Sequence, residues 1–397
     1  MQLGIVGKPN VGKSTFFNAA THAHAEIANY PFTTIEANKG IMYIPKKCPC
    51  QDFKVTCTPN NSKCINGVRF VAIEAIDVAG LVPDAHKGKG LGNKFLDDLR
   101  QAHALIHIID ASGSTDAEGN PCELGANDPV NDILFLEKEI SYWLFGIIKK
   151  NWDRIARQTE LESKKIEKML EAPLTGLGIK EEHINLALRK LDLPKEKPTS
   201  WTDDDLLQLS DFVRKISKPI IIAFNKSDKA PVEMIKKSES LKDYVVIATS
   251  AESELALSNA AQKNLIDYVP GSNSFTIIQK DNISEKQLKA LEYIQSHVLE
   301  EYGSTGVHKC IEAAVSVLDL IVVYPVEDDS HLTDKQGRIL PDALLIAAGS
   351  TAKDLAYKIH TDLGNHFIRA IDARTHRVIG SDHKLKDGDV IKIISDA

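Results

Sequence analysis

The sequence predicts an α/β protein, a mostly parallel sheet with helices on both faces, followed by a smaller mixed module. Three observations predict it. Apolar runs recur with helical or loop material between them, a glycine-rich turn joins the first run to a helix, and beyond Leu320 short strands surround one amphipathic helix. With 397 residues, 43% hydrophobic and 26% charged, the chain can bury one large core and fold a second, smaller one.

In order, the runs are Leu3 to Val6, Phe70 to Asp77, Ala104 to Asp110, Pro219 to Asn225 and Tyr244 to Thr249. They are continuous rather than alternating, as strands buried on both faces are. Ligands of such sheets bind beyond the carboxyl ends of the strands. Between the third and fourth runs, about 131–218 is rich in Leu, Ile, Glu and Lys at helical spacing and reads as a helical insertion. Its helices are expected at Glu137 to Trp152, Glu160 to Leu170, Lys180 to Leu191 and Asp203 to Ile216, broken by Pro173, Gly176, Gly178, Pro194 and Pro198. Two more follow, near Ser284 to Glu301 and Gly306 to Leu318. In the last module Leu320 to Val326, Phe367 to Ile371 and Val390 to Ile394 read as strands, Thr351 to Leu363 as a capped helix, and Lys386-Asp387-Gly388-Asp389 as a tight turn. The expected organisation is a larger domain over 1–318, with a cysteine-bearing insertion at about 44–68 and the helical one at about 131–218, then a terminal domain over 319–397.

A formal net charge of -7 argues against a protein that coats DNA or RNA through overall charge and leaves room only for a local basic patch. Met1 runs directly into Gln2-Leu3-Gly4 with no basic n-region, and no apolar run approaches the roughly 20 residues of a membrane span. A cytoplasmic protein without a membrane or DNA partner is expected.

Gly7-Lys8-Pro9-Asn10-Val11-Gly12-Lys13-Ser14, followed by Thr15, matches the phosphate-loop pattern G-x-x-x-x-G-K-[ST], directly after a strand and before a helix. Its backbone N–H groups close around phosphates, Lys13 reaches the β and γ oxygens, and Ser14 ligates Mg²⁺. Asp77-Val78-Ala79-Gly80 ends the second run: Asp77 can hold Mg²⁺ through water and the Gly80 N–H can sense a γ-phosphate. Between them, Tyr30-Pro31-Phe32-Thr33-Thr34 offers hydroxyls for the Mg²⁺ shell of the triphosphate state, Thr34 first and Thr33 in reserve. Asn225-Lys226-Ser227-Asp228 ends the fourth run. The Asp228 carboxylate can accept from both N1–H and the 2-amino group of guanine, whereas adenine has no matching donors. Asn225 would secure the loop, the Lys226 stem would lie along the ring, and a backbone N–H of Thr249-Ser250-Ala251 can reach guanine O6.

Many GTP-cleaving proteins place a water-orienting Gln directly after D-x-x-G; here Leu81 stands there and cannot do so. The following Gly-rich stretch to Asn93 carries His86, whose neutral ring could orient water. Lys13, Thr34, Gly80 and His86 are the candidate catalytic set, and Asn10 is a candidate to help hold K⁺ beside the nucleotide. Four of six cysteines cluster in sequence, Cys48, Cys50, Cys57 and Cys64. They could supply four ligands to a structural Zn²⁺, but paired Cys-x-x-Cys knuckles are lacking, so ordinary reduced thiols are favoured, with a disulfide pair in a heat-adapted cytosol the third reading.

These motifs, from Gly7 through Thr15-Phe16-Phe17-Asn18, Tyr30 to Thr34, Asp77 to Val82 and Gly90 to Leu96, give a chain that resembles the Obg-like translation-factor GTPases, and most closely their YchF-type members. The resemblance implies a P-loop G domain with a helical insertion, a hydrophobic residue in place of the catalytic Gln, and a ubiquitin-like β-grasp TGS domain from about Leu320. It also implies association with the ribosome or RNA through the TGS domain and the insertion; in the residues themselves only Lys384 and Lys386 hint at it, and they read equally as a solvated face. Members that favour ATP carry an altered base motif ending in Glu. This chain keeps Asp228, and its cysteine-bearing insertion resembles the archaeal branch. The expected activity is hydrolysis of GTP to GDP and phosphate with Mg²⁺, as a molecular switch. The alternatives are a nucleotide-regulated binding module with negligible hydrolysis and an ATP-preferring relative.

Overall fold

The computed structural model of the chain describes residues 1–22, 38–80 and 92–396. In chain order its strands are β1 (Gln2–Val6), β2 (Lys39–Lys47), β3 (Lys63–Ile65), β4 (Val68–Asp77), β5 (Ala104–Asp110), β6 (Ile220–Asn225), β7 (Val245–Thr249), β8 (Ile266–Asp267), β9 (Thr276–Ile277), β10 (Leu320–Val326), β11 (Leu344–Ala347), β12 (Phe367–Asp372), β13 (Arg377–Ile379) and β14 (Val390–Ser395). The helices are α1 (Lys13–His22), α2 (Cys50–Phe53), α3 (Gly92–Gln101), α4 (Pro129–Glu162), α5 (Ile166–Leu174), α6 (Glu181–Leu191), α7 (Asp203–Ser217), α8 (Val232–Ser240), α9 (Ala251–Gln262), α10 (Glu285–Ile294), α11 (Glu300–Tyr302), α12 (Val307–Val317), α13 (Ala352–Ile359) and α14 (Thr361–Asn365). No helix among the described residues is long and apolar enough to cross a membrane. The chain forms two compact units, residues 1–17 with 75–252, and residues 18–74 with 253–397.

In the first unit β1, β5, β6 and β7 are parallel neighbours. Every residue of β5 is buried, which is why its sequence shows no polar alternation. Asp110 of β5 stands opposite Asn225 of β6, and Asn225 opposite Thr249 of β7, so the polar residues that close these strands share one edge. The helical insertion packs with this unit through one core that includes Val6, Ile76, Phe95, Leu136, Ile148, Leu170, Leu188 and Leu209. Trp152 of α4 stacks on Trp201, ring centroids 5.1 Å apart, and the Trp201 Nε1–H donates to the Pro194 carbonyl at 3.1 Å. A reciprocal Thr202/Asp205 capping box starts α7.

Two expectations are revised here. The helices expected at Glu137 to Trp152 and Glu160 to Leu170 are the single 34-residue α4 followed by α5, with Ser163 in the left-handed region as the stop between them. Pro173 lies inside the last turn of α5 rather than beyond it.

In the second unit the last five strands form one sheet in the order β11-β10-β14-β12-β13, with β10 and β14 parallel and the other pairs antiparallel. The helix α13 supplies Ala352 and Leu355 to a core with Val323, Ile346, Ala370 and Ile391, and Thr351 caps it through a Thr351/Asp354 box. The expected helix from Thr351 to Leu363 is interrupted at His360, whose extended backbone separates α13 from α14. The turn before β14 has Gly388 at φ 86°, its N–H donating to the Val322 carbonyl, and Asp387 Oδ1 accepts from the Val322 N–H at 2.7 Å. Within the cysteine-bearing segment the structure shows the end of β2, the one-turn α2, and β3, which forms a short hairpin with β4.

Candidate nucleotide-binding site

The phosphate loop occupies the turn between β1 and α1. Gly7 and Gly12 are fixed by space as well as by motif: a Cβ on Gly7 would stand 2.6 Å from the Ile108 carbonyl oxygen, and one on Gly12, at φ +91°, 2.4 Å from Asn225 Nδ2. Ser14 is exposed at the second position of α1, and Thr15 is half-buried. The Lys13 ammonium lies on the Asp77 carboxylate and donates to the Val78 carbonyl at 3.0 Å, so the phosphate-loop lysine and the D-x-x-G aspartate meet in one place. Among the described residues, a Cβ on Gly80 would meet nothing within 4 Å.

The base loop is clipped to the phosphate loop by two side chains. Asn225, nearly fully buried, donates through Nδ2 to the Val11 carbonyl at 2.9 Å and accepts on Oδ1 from the Ala251 N–H at 3.1 Å. It thus ties together the three segments expected to touch phosphate, base and guanine O6. The Ala251 N–H is engaged in this clip, so a base oxygen there would share it. Lys226, in the left-handed region at φ 60°, donates to the Asn10 carbonyl at 3.1 Å and to Asp110 Oδ2 at 2.8 Å. That geometry holds the stem in one line and presents Ser227 and Asp228 as a short 3₁₀ turn. Ser227 Oγ donates to the Thr249 carbonyl at 3.0 Å, and Asp228 is half-buried.

Asp110 was not singled out by any motif, yet it organises this corner. Its carboxylate accepts from the Ser112 N–H and from the hydroxyls of Ser112, Ser114 and Thr115, besides Lys226. Burial alone would raise its pKa, but these bonds, Lys226 foremost, hold it below the ordinary carboxylate value. The available signal was a strand-ending Asp followed by three hydroxyl residues within five positions.

The side chains of Lys8 and Asn10 are held by the segment after β5, and that of Lys8 by α4 as well. The Lys8 side chain is buried, paired with Asp132 of α4 at 2.9 Å and donating to the Thr115 carbonyl at 3.0 Å. Asn10, at φ 64°, donates through Nδ2 to the Gly119 carbonyl at 2.8 Å. Tyr30 to Thr34, including Thr33, and Leu81 to Leu91, including His86, lie outside the described residues.

Behind the loop, His107 of β5 stands opposite Val6 and Ile222, fully buried, with no partner on Nδ1 among the described residues. Burial, with Lys8 adding repulsion, pushes its pKa down to about 3. Between pH 6.5 and that value the unfolded chain binds a proton that the folded one refuses. The sign follows: this contribution to stability is complete above pH 6.5 and shrinks as pH falls, by about 1.4 kcal/mol per pH unit. Urea unfolding at pH 7.5 and 5.5 is expected to show that loss, and His107→Leu to remove His107's share of it. Equal pH dependence in both proteins would contradict the assignment.

A glycine-rich loop between strand and helix, a lysine meeting an aspartate at the neighbouring strand end, and an N-K-x-D loop clipped to it define a P-loop nucleotide-binding protein. Residues 2–138 match the model of the 50S ribosome-binding GTPase family, 223–328 that of the Obg-like GTPase YGR210-like, G4 motif-containing domain, and 332–395 that of the TGS domain. The chain is 54% identical over 400 residues to an uncharacterized GTP-binding protein of Methanocaldococcus jannaschii, spanning 100% of this chain and 99% of that relative. It is 28% identical over 411 residues to the ribosome-binding ATPase YchF of Bacillus subtilis, spanning 98% and 97%. Among solved structures it is similar to a GTP binding protein from Pyrococcus horikoshii OT3, with a TM-score of 0.77, 41% identity and 100% of both chains covered. The YchF GTPase of Schizosaccharomyces pombe, at 20% identity, TM-score 0.60 and 99% and 97% coverage, shares the fold. The chain belongs to the Obg-like, YchF-type family of P-loop GTP-binding proteins and ATPases that end in a TGS domain.

Proposed function

We propose that this protein binds GTP in preference to ATP and hydrolyses it to GDP and phosphate with Mg²⁺, acting as a switch on the ribosome or another RNA. The observation that carries the reading is the base loop: Asp228 follows Asn225 and Lys226, both locked onto the phosphate loop, so a nucleotide whose phosphates rest on Gly12 to Ser14 would bring its base toward that carboxylate. Ser14 and Asp77 offer the hard oxygen donors Mg²⁺ takes, Asp77 through water, and Thr34 would join them in the triphosphate state. The ion, when bound, would neutralise developing charge on the phosphate oxygens. Lys13 would add its charge at the same oxygens and the Gly80 N–H would report the γ-phosphate. With Leu81 unable to orient water, His86 takes that role in this proposal, and K⁺ held with the help of Asn10 would supply further positive charge.

The relatives named ribosome-binding ATPase favour a second reading in which ATP is the substrate. Lys384 and Lys386, exposed beside the turn before β14, are the TGS residues offered to RNA. Competition of GDP against ADP, followed by single-turnover hydrolysis of GTP with Mg²⁺ in K⁺ and in Na⁺ buffer, tests the proposal. Preference for GDP and cleavage that slows in His86→Ala are expected. Preference for ADP would favour the second reading, and absence of cleavage with or without ribosomes would leave a nucleotide-regulated binding module.

A further inference from the structure

We propose that Cys48, Cys50, Cys57 and Cys64 bind one Zn²⁺ as a tetrathiolate that fastens the segment between β2 and β4 to the terminal β-sheet. The four sulfurs come from the residue just beyond β2, the start of α2, the loop beyond it and β3, yet all lie within 4.8 Å of one another. Cys48 Sγ is 3.9 Å from Cys57 Sγ, and Cys50 Sγ is 3.9 Å from Cys64 Sγ. A tetrahedron with metal–sulfur bonds of 2.3 Å has edges of about 3.8 Å, whereas a disulfide needs about 2.0 Å. An iron–sulfur cluster distributes its cysteines over two or more irons and spreads their sulfurs beyond a single-ion edge. The spacing therefore fits one soft, tetrahedral ion.

Apolar packing alone gives no reason for four thiols to converge on a common centre rather than on carbon. The segment also has little regular structure of its own: α2 is a single turn, β3 has three residues, and Lys54, Asn66 and Gly67 all have positive φ. Small units of this kind are where a metal supplies the missing core.

The surroundings agree with an anionic centre. Arg69, fully buried, donates to Ser62 Oγ at 2.8 Å and to the Leu340 carbonyl at 2.7 Å, and lies over the Tyr324 ring. Its Nε is buried with no hydrogen-bond partner among the described residues. Its charge offsets part of the net -2 that four thiolates around one Zn²⁺ carry, and a thiolate sulfur is an acceptor that would satisfy the orphaned N–H.

The consequence is mechanical. The segment that bears the thiols runs beside 338–343: the Thr58 N–H donates to the Ile339 carbonyl, the Asn60 N–H to the Pro341 carbonyl, and Asn61 exchanges two bonds with Ala343. Cys48 and Cys50 share a core with Val322, Tyr324, Leu340 and Val390. A metal at the thiols would fix this interface, and its loss would free one edge of the terminal module.

The full chain purified without added metal is expected to carry one zinc per chain by elemental analysis and to keep it in Cys122→Ser. The double variant Cys57→Ser/Cys64→Ser is expected to hold about tenfold less or lower still, with earlier thermal unfolding. Loading the chain with Co²⁺ in place of zinc should give the intense visible bands of tetrahedral cobalt with thiolate charge transfer. That spectrum tests the wild-type chain even if the double variant does not fold. Reactive thiols without metal, a mass showing a disulfide, iron in place of zinc, or a six-coordinate cobalt spectrum would each overturn the assignment.

Discussion

Asp228→Ala is expected to weaken GDP and GTP binding by roughly a hundredfold or more while leaving ADP binding where it was. The carboxylate would accept two hydrogens from guanine, and charge-assisted bonds of this kind contribute about 1.5–3 kcal/mol each. Removing the group strands two donors of the base, so the loss falls on guanine alone. The structure makes this a local test. Asp228 is the middle residue of a 3₁₀ turn whose entry is held independently by Asn225 to Val11 and by Lys226 to Asn10 and Asp110, so the substitution leaves the clip intact. Asp228→Asn sharpens the argument. Its amide presents a donor where the carboxylate presented an acceptor, which suits xanthine, whose C2 carries an oxygen in place of the amino group. A gain for XDP alongside the loss for GDP is the expected pattern in competition binding. Equal losses for GDP and ADP would show that the side chain holds the loop rather than reads the base.

Much of this site was legible because its parts are local. A phosphate loop is a strand, a turn and a helix N-terminus within fifteen residues, and β5 announces itself as seven consecutive buried positions. What the sequence hid depends on chain segments far apart. Asp110 gains its role from Lys226, more than a hundred residues on, and Lys8 is turned inward by Asp132 on a helix that the motif does not mention. β2 was missed because Lys39, Pro45, Lys46 and Lys47 break its apolar pattern, although Met42, Tyr43 and Ile44 are buried. The length of α4 is hidden for a different reason: Asp153, Arg154, Arg157 and Gln158 thin its apolar pattern beyond Trp152, yet no Pro or Gly ends the helix there, and it runs on to Glu162. The four thiols look irregular along the chain because α2 and the β3/β4 hairpin fold between them, and only the fold shows that they converge.

Lys13 and Asp77 carry the other large expected effect, and they can be told apart. Lys13→Met removes a cation that would face the β and γ oxygens, so GTP affinity and hydrolysis are both expected to fall by roughly a hundredfold or more. Asp77→Asn should behave differently. Asp77 is the partner of the Lys13 ammonium in the structure, and the pair is partly shielded from water. A phosphate must compete with that carboxylate for the lysine. Neutralising Asp77 therefore frees Lys13 for phosphate, and GDP binding without Mg²⁺ should hold or tighten. The enhancement that Mg²⁺ gives to GTP binding should shrink, because a hard anionic donor has been lost from the set formed with Ser14. Titrations of GDP and GTP with and without Mg²⁺ separate the two roles. If Asp77→Asn weakens metal-free GDP as much as it weakens GTP with Mg²⁺, the carboxylate serves the fold of the loop and not the ion.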